Sequence, residues 1–480
     1  MPDIHDVLDR RAVTTLFQPL IDLASGRVLG YEALSRGPAG SPWESPAELF
    51  AAARQAGRLT ELDWICRARA YESALNAGLD ENLTWFVNME PAAARAACPP
   101  DLLPVVERAR RGLRVVTEMT ERAIASDPSG LLQSMATVRT DGWGTALDDV
   151  GADPMSLALM PFVHPDVVKL DMGMLRAPGD PQTARVVAAV AAYAESSGAI
   201  VLAEGIETEE HLAVARTMGA TVGQGWHFGR PAPLPDTVSA TPQPLAFIAS
   251  PHPENRTPYE IVAARRPVTR TSKAQLMPMS RHVEALVTDG GEPSVLLACF
   301  QEARHFTPAT ARRFARMAAV SPLVAALGAG LTDAPARGVR GACLSDDDAL
   351  RGEWNVIVVG PHRAAALVAL DLGDSGPQGE RRFDFALTHD RALVIEAARS
   401  LLGTAGPGPD PGAGRPGLGP NIWADKVGDT SVSLGFRFVS PDGLVEYARG
   451  TRVLVKIDPA TRRPAPWTPE ARTDLEGILA

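Results

Sequence analysis

The first 230 residues alternate short apolar runs with longer stretches whose apolar positions recur at helical spacing. Eight runs have the length and makeup of strands: Leu16–Leu23, Val28–Leu34, Thr84–Met89, Leu113–Glu118, Gly144–Val150, Asp166–Asp171, Ala199–Glu204 and Thr221–Trp226. Pro46–Ala56, Glu61–Ala77, Leu131–Arg139, Ala184–Ser196 and Glu209–Met218 carry the helical period between the later runs. Asp127-Pro128-Ser129 and Thr208-Glu209-Glu210 have the composition of helix starts, and Gly198 and Gly219 of helix stops. The turn Ala24-Ser25-Gly26 joins the first two runs, so these form an antiparallel hairpin. The regular alternation after them predicts an α/β fold with a parallel sheet, most economically closed into a barrel.

The pattern changes further along. Residues 1–240 make the barrel, and 241–275, rich in Pro, Thr, Ser and Arg, read as a linker with at most one short helix. Residues 276–405 predict a separate α/β domain, with strands at Ser294–Phe300, Trp354–Val359 and Ala365–Leu370 and helices at Pro308–Val320 and Asp390–Leu402. Residues 406–419 are a low-complexity Gly/Pro linker. A short β-rich tail over 420–480 predicts strands at Val432–Val439, Val445–Arg449 and Thr451–Ile457 and a closing helix.

Composition narrows the function. A net charge of −10 argues against a general nucleic-acid binder, so an anionic substrate would need local positive charge. No uninterrupted apolar run reaches membrane-spanning length, and the N-terminus lacks the order of a signal peptide. The four cysteines show no metal-site spacing and read as reduced thiols, which predicts a cytoplasmic protein. Of 47 basic residues only four are lysine, yet one of them, Lys169, sits inside the apolar run DVVKLD. Lysine is a compact charge on a flexible stem, which arginine cannot imitate.

The candidate chemistry gathers where the runs end. Glu32, Asn88, Glu118, Asp148 with Asp149, Lys169 with Asp171, Glu204 and Gln224 stand at or near the strand ends. Strand alternation puts Glu32, Leu34 and Arg36 on one face, where a carboxylate suits a cation and a guanidinium a phosphate. Adjacent aspartates cannot share a face within a strand, so the chain must turn at Asp148-Asp149 for both to reach a pair of cations. Such a pair can clamp the attacking and leaving oxygens of a phosphodiester.

These segments include FQPL at 17–20, GYEALSR at 30–36, VNMEP at 87–91, TEMTE at 117–121, LDDVG at 147–151, VKLD at 168–171, AEGIE at 203–207 and GQGWHFGRP at 223–231. Together they resemble the EAL family of cyclic-di-GMP phosphodiesterases over residues 12–233. The resemblance implies a modified (β/α)8 TIM barrel with one antiparallel strand. It implies two divalent cations, Mg²⁺ or Mn²⁺: one on Glu32, Asn88, Glu118 and Asp148, the second on Asp148 and Asp149. Glu204 would be a general base or a ligand of the second ion. Lys169 would fix the attacking water or stabilise charge on phosphate, supported by Asp171. Gln18, Leu34, Arg36 and Gln224 would contact substrate or its waters, and Glu121 and Glu207 would anchor the loop after Asp149. The implied reaction opens cyclic-di-GMP to linear pGpG, and the family commonly forms homodimers.

One stretch departs from the family. The aspartate pair is usually followed by a loop close to DFGTGYSSL; here it reads Asp149-Val150-Gly151-Ala152-Asp153-Pro154-Met155-Ser156-Leu157. Pro154 stiffens that backbone and Asp153 adds charge. The departure keeps a second reading open, a catalytically weak or inactive cyclic-di-GMP receptor. Residues 280–403 resemble a DICT-type sensory domain, through 296–318, 353–374 and 381–402, which implies regulation by an unassigned signal. Residues 435–475 weakly resemble the last strands of a hotdog-fold thioesterase without its catalytic parts.

Overall fold

The computed structural model describes residues 3–404 apart from 91–92, 94–95, 121–127, 153, 249–255 and 290, and then 419–427, 429, 431–439, 446–455 and 466–468. Met1–Gly408 forms one compact unit and Pro409–Ala480 a second.

A short helix, α1 (Ile4–Asp9), precedes a closed barrel of eight strands in chain order. β1 (Thr14–Asp22) and β2 (Val28–Arg36) form the hairpin, followed by α2 (Pro46–Gln55) and α3 (Leu59–Ala77). Then come β3 (Thr84–Asn88), α4 (Leu103–Gly112), β4 (Arg114–Thr120), α5 (Pro128–Thr140) and β5 (Gly144–Val150). A 3-10 turn (Pro154–Ala158) and α6 (Met160–Val163) lead into β6 (Val167–Leu170). The barrel ends with α7 (Met172–Arg176), α8 (Pro181–Ser197), β7 (Ile200–Ala203), α9 (Glu209–Thr217) and β8 (Val222–Gly223). β1 runs antiparallel to both neighbours, β2 and β8, and every other neighbouring pair is parallel.

The barrel interior is packed, not open. Leu20, Leu29, Phe86, Val116, Ala146, Val167, Leu202 and Val222, one from each strand, form a single buried cluster with Leu245. Residues 241–248 reach this cluster near the N-terminal ends of the parallel strands. There Arg114 donates to the Leu245 carbonyl at 2.7 Å, and Asp166 accepts the Ile248 N–H at 2.7 Å. The start of the expected linker is thus part of the barrel's packing.

The described remainder of that linker, residues 256–275, is structured too. It carries α10 (Pro258–Ala263) and β9 (Thr269–Ser272), and β9 pairs with a strand far down the chain. The second domain continues with α11 (Lys273–Asp289), β10 (Val295–Glu302), α12 (Pro308–Ala318), β11 (Val324–Ala329) and β12 (Arg340–Ala342). β13 (Glu353–Val359), β14 (Ala364–Asp371), β15 (Arg382–Thr388) and α13 (Arg391–Thr404) complete it. Its sheet has the order β12-β11-β10-β13-β14-β15-β9. β9 is polar and half solvated, TRTS, which is why no apolar run announced it.

Helix α13 carries the contact between this domain and the barrel. One apolar cluster runs continuously from Leu159, Phe162 and Val163 to Leu401 and Leu402. Arg399 donates to the Phe162 carbonyl through Nε at 3.1 Å and Nη2 at 2.9 Å, serving a carbonyl at the end of α6 that has no helical partner. Replacing Arg399 with Ala should cost about 1–3 kcal/mol of unfolding free energy, because a largely buried carbonyl loses its donor. Urea unfolding of the whole chain measures it, and an unchanged midpoint and slope would count against the contact.

In the second unit, β16 (Gly419–Val427), β17 (Ser431–Val439) and β18 (Glu446–Val455) form an antiparallel sheet in chain order. Over 446–455 the two expected strands are one, since Gly450 pairs with Phe436 between the Arg449–Arg437 and Thr451–Gly435 pairs. The expected closing helix lies outside the described residues.

Candidate active site

A strand that buries one face presents side chains to the interior every second residue. Two positions toward the mouth from the apolar cluster, seven strands or their immediate extensions carry a polar group. Phe86 leads to Asn88, Val116 to Glu118, Ala146 to Asp148, Val167 to Lys169, Leu202 to Glu204 and Val222 to Gln224. On the antiparallel β1 the same step runs backward, from Leu20 to Gln18. Register then sets neighbours: Gln18 lies opposite Glu32, Asn88 beside Glu118, and Thr120 beside Asp148.

Lys169 is the centre. Its Nζ, fully buried, lies 2.7 Å from Glu118 Oε1, 2.8 Å from Glu204 Oε1, 3.0 Å from Asp148 Oδ1 and 3.7 Å from Glu32 Oε2. Glu32 is also held by amides: Asn88 Nδ2 donates to its Oε1 at 3.1 Å and Gln224 Nε2 to its Oε2 at 2.6 Å. Gln224 Nε2 also reaches Gln18 Oε1 at 3.1 Å, and Gln18 Nε2 donates to the Gly229 carbonyl at 3.0 Å. The loop carrying Gln224 passes tightly beneath its neighbour: Gly225 has φ +154°, and a Cβ there would sit 2.1 Å from the Ile206 carbonyl oxygen.

The chain does turn at the aspartate pair. β5 shifts register against β6 between Leu147 and Val150, and Asp149 takes a left-handed φ of 58°. A bulge of this kind re-aims side chains beside active sites, and a non-glycine residue there stores strain. Asp148 Oδ1 accepts the Asp149 N–H at 3.0 Å. Ligand oxygens of Asp148, Asp149 and Glu204 all lie within 4.8 Å of one another.

Four carboxyls therefore surround one ammonium, and their protonation follows. Burial raises Glu204 to about 8 against the pull of Lys169. Burial and the nearby Glu32 push Glu118 well above the usual carboxyl range. Burial opposes ionisation of Glu32 as well, but Lys169 and the Gln224 and Asn88 amides outweigh it and hold this carboxyl low. Burial also disfavours the Lys169 charge, and Asp148, Glu118, Glu204 and Glu32 overcome it, so the ammonium persists well above its ordinary range. A cluster with more acid than it can neutralise, built from carboxylate and amide oxygens, fits hard divalent cations such as Mg²⁺ or Mn²⁺.

The remaining expected residues scatter. Leu34 and Arg36 lie half-buried at the mouth end of β2, with Arg36 Nη1 donating to the Ser35 carbonyl at 2.8 Å. Asp171 caps α7, its Oδ1 accepting the Gly173 N–H at 2.8 Å, and among the described residues it makes no ion pair with Lys169. Glu207 faces Arg176 of α7 at 3.7 Å, on the segment after β6 and not the loop after Asp149. Glu121 and Asp153 lie outside the described residues. Asp63 on α3 went unremarked in the sequence. Its spacing from Arg67 is that of an ordinary solvated helix pair, yet both side chains are buried. The apolar neighbours Leu62, Ile65 and Cys66 were the available signal of burial.

Residues 3–231 match the family described as EAL domain, and residues 260–372 match DICT, the sensory domain in diguanylate cyclases and two-component systems. Relatives by sequence include the probable cyclic di-GMP phosphodiesterase PdeB of Escherichia coli, 26% identical over 248 residues, covering 50% of this chain and 47% of PdeB. Another is the cyclic di-GMP phosphodiesterase RocR of Pseudomonas aeruginosa, 26% identical over 241 residues, covering 48% of this chain and 62% of RocR. An uncharacterised protein of Azorhizobium caulinodans is 28% identical over 265 residues, and there the match spans 50% of this chain and 35% of the relative. The chain thus spans about half, or less, of several curated relatives it matches. Among solved structures, a manganese/cy-diGMP complex of Klebsiella pneumoniae BlrP1 shares 29% identity over 46% of this chain and 56% of that one, with a TM-score of 0.41.

Proposed function

The chain carries an EAL domain followed by a DICT sensory domain, and from that premise we propose that its barrel hydrolyses cyclic-di-GMP to linear pGpG under control of the sensory domain. One observation carries the reading: seven strand ends deliver Gln18, Asn88, Glu118, Asp148, Lys169, Glu204 and Gln224 to one mouth, where the acids close on Lys169 and the Asn88 and Gln224 amides on Glu32. Glu32, Asn88, Glu118 and Asp148 would hold one divalent cation, and Asp148 with Asp149 a second. When bound, the cations supply charge neutralisation at the phosphate and acidify a water.

The chain's own groups supply the rest. Glu204, beside Asp148 and Asp149, is placed to take the proton of the attacking water or to hold the second cation. Lys169 stabilises negative charge gathering on the phosphate oxygens. Gln18, Gln224, Leu34 and Arg36 line the mouth where the dinucleotide would lie. No described helix is long and apolar enough to cross a membrane. The substrate class and four free thiols support a cytoplasmic setting. A homodimer is the expected assembly by family likeness.

The test is product analysis after incubation of the full chain with cyclic-di-GMP and Mn²⁺. Linear pGpG should form, and Glu32→Ala and Glu204→Ala should each slow it by roughly 100-fold or more. A wild type no faster than these variants would end the enzyme reading. The unusual segment after Asp149 favours one alternative, a receptor that binds without turnover. Calorimetric binding with no pGpG would select it.

A further inference from the structure

We propose that Asp63 of α3 is a positioning residue for Asn88, holding the backbone just past it so that the amide stays on the cation site; this rests on the reading of the barrel mouth given above. Asp63 is 2% exposed and lies outside the ring of groups at the mouth. Its Oδ1 accepts the backbone N–H of Glu90 at 2.7 Å, two residues beyond Asn88. The residue between is tied the other way, with Met89 N–H donating to the Glu118 carbonyl at 3.0 Å. The strand end that presents Asn88 is thus fixed on one side to β4 and on the other to α3.

Asp63 is in turn held by Arg67. The guanidinium Nη2 lies 2.6 Å from Asp63 Oδ2, and its Cζ lies over the Trp64 ring, 3.6 Å from the centroid. Trp64 Nε1 donates to the Ala96 carbonyl at 3.2 Å, so the same helix grips the segment after β3 at a second point. With the strand end so fixed, Asn88 Nδ2 meets Glu32, and the carbonyl oxygen of the same amide is the end that would serve a cation.

A purely structural role fits less well. Desolvating a carboxylate and a guanidinium costs about as much as their attraction returns, and apolar residues of like size usually replace such pairs without loss. A buried pair is therefore a poor source of stability but a good source of geometry. What Asp63 adds that an apolar residue cannot is an acceptor aimed at one backbone N–H. Outer partners of this kind typically alter cation affinity by about 10–100-fold when removed.

Two double variants separate the acceptor from the charge. Asp63→Asn/Arg67→Gln keeps an oxygen for Glu90 and removes both charges, whereas Asp63→Leu/Arg67→Leu removes the acceptor and keeps apolar packing. Free Mn²⁺, read by its paramagnetic resonance signal during titration of the full chain, gives the affinity without any need for turnover. The amide pair should bind Mn²⁺ as wild type does, and the leucine pair should bind about 10-fold more weakly or worse. If the leucine pair does not fold, Asp63→Ala/Arg67→Gln makes the same comparison in the amide background. Wild-type affinity in the variant lacking the acceptor, or equal weakening in both, overturns the positioning role while leaving the barrel reading intact. A wild type that does not bind Mn²⁺ overturns both.

Discussion

A Lys169→Met protein should lose both turnover and, without divalent cations, much of its stability. Among the described residues the ammonium is the one positive charge within 3.7 Å of Glu32, Glu118, Asp148 and Glu204. Removing one partner from a buried ion cluster typically costs about 3–5 kcal/mol. The loss should shrink at low pH, where the carboxyls can take up protons instead. Adding Mn²⁺ should restore the melting temperature, because cations replace the missing charge. It should not restore hydrolysis, which should stay about 10²–10³-fold down if Lys169 stabilises charge on the phosphate. Thermal unfolding and pGpG formation, each with and without Mn²⁺, make the comparison. Full recovery of both would reduce Lys169 to a counter-ion and remove it from the chemistry.

Cation binding itself should be strongly pH-dependent. In the fold Glu204 is raised from 4.5 to about 8, chiefly by burial. The folded group therefore keeps a proton that the unfolded chain releases. Its contribution to stability is full below about 4.5 and is lost as pH rises through about 8. If Glu204 holds a cation, that cation must displace the proton, so Mn²⁺ affinity at that position should climb ~10-fold per pH unit up to about 8 and level off above it. The rise in melting temperature given by Mn²⁺ should follow the same course. Calorimetry in two buffers of different ionisation enthalpy would record about one proton released per cation below pH 8. An affinity flat across this range would mean that Glu204 is not at the cation site.

How much was legible depended on how far each feature lay from its own sequence neighbourhood. All eight barrel strands were readable because each is a short apolar run, and on seven of them the polar residue follows the buried one by a step of two. The hairpin was legible from the turn at Gly26, which has a φ of +69°. Lys169 stood out against an arginine-rich chain. Asp171 was harder: two residues from Lys169 it would share that residue's face if the strand ran on, but β6 ends at Leu170 and the next helix claims Asp171 as a cap. Glu207 likewise lies near the right motif and faces Arg176. Strand β9, polar throughout, was invisible because its pairing with β15 lies more than a hundred residues away. Asp63 was hidden for the opposite reason, since its nearest partner, Arg67, made it look complete.

The join between β1 and β8 bears on how the molecule comes to exist. Strand pairing there involves only Ile21 with Gly223 and Asp22 with Val222, supported by a bridge between Phe17 and Ala232. These partners are about 200 residues apart, and contacts of such separation form late because the intervening chain must first be ordered. Gln18 and Gln224 meet across that seam. During synthesis, a chain emerging from the ribosome would therefore have its acids and Lys169 before the two glutamines meet. The ability to grasp a dinucleotide would arrive only with the last strand, so a chain cut short before residue 222 should remain an unfinished site however well its earlier strands pair.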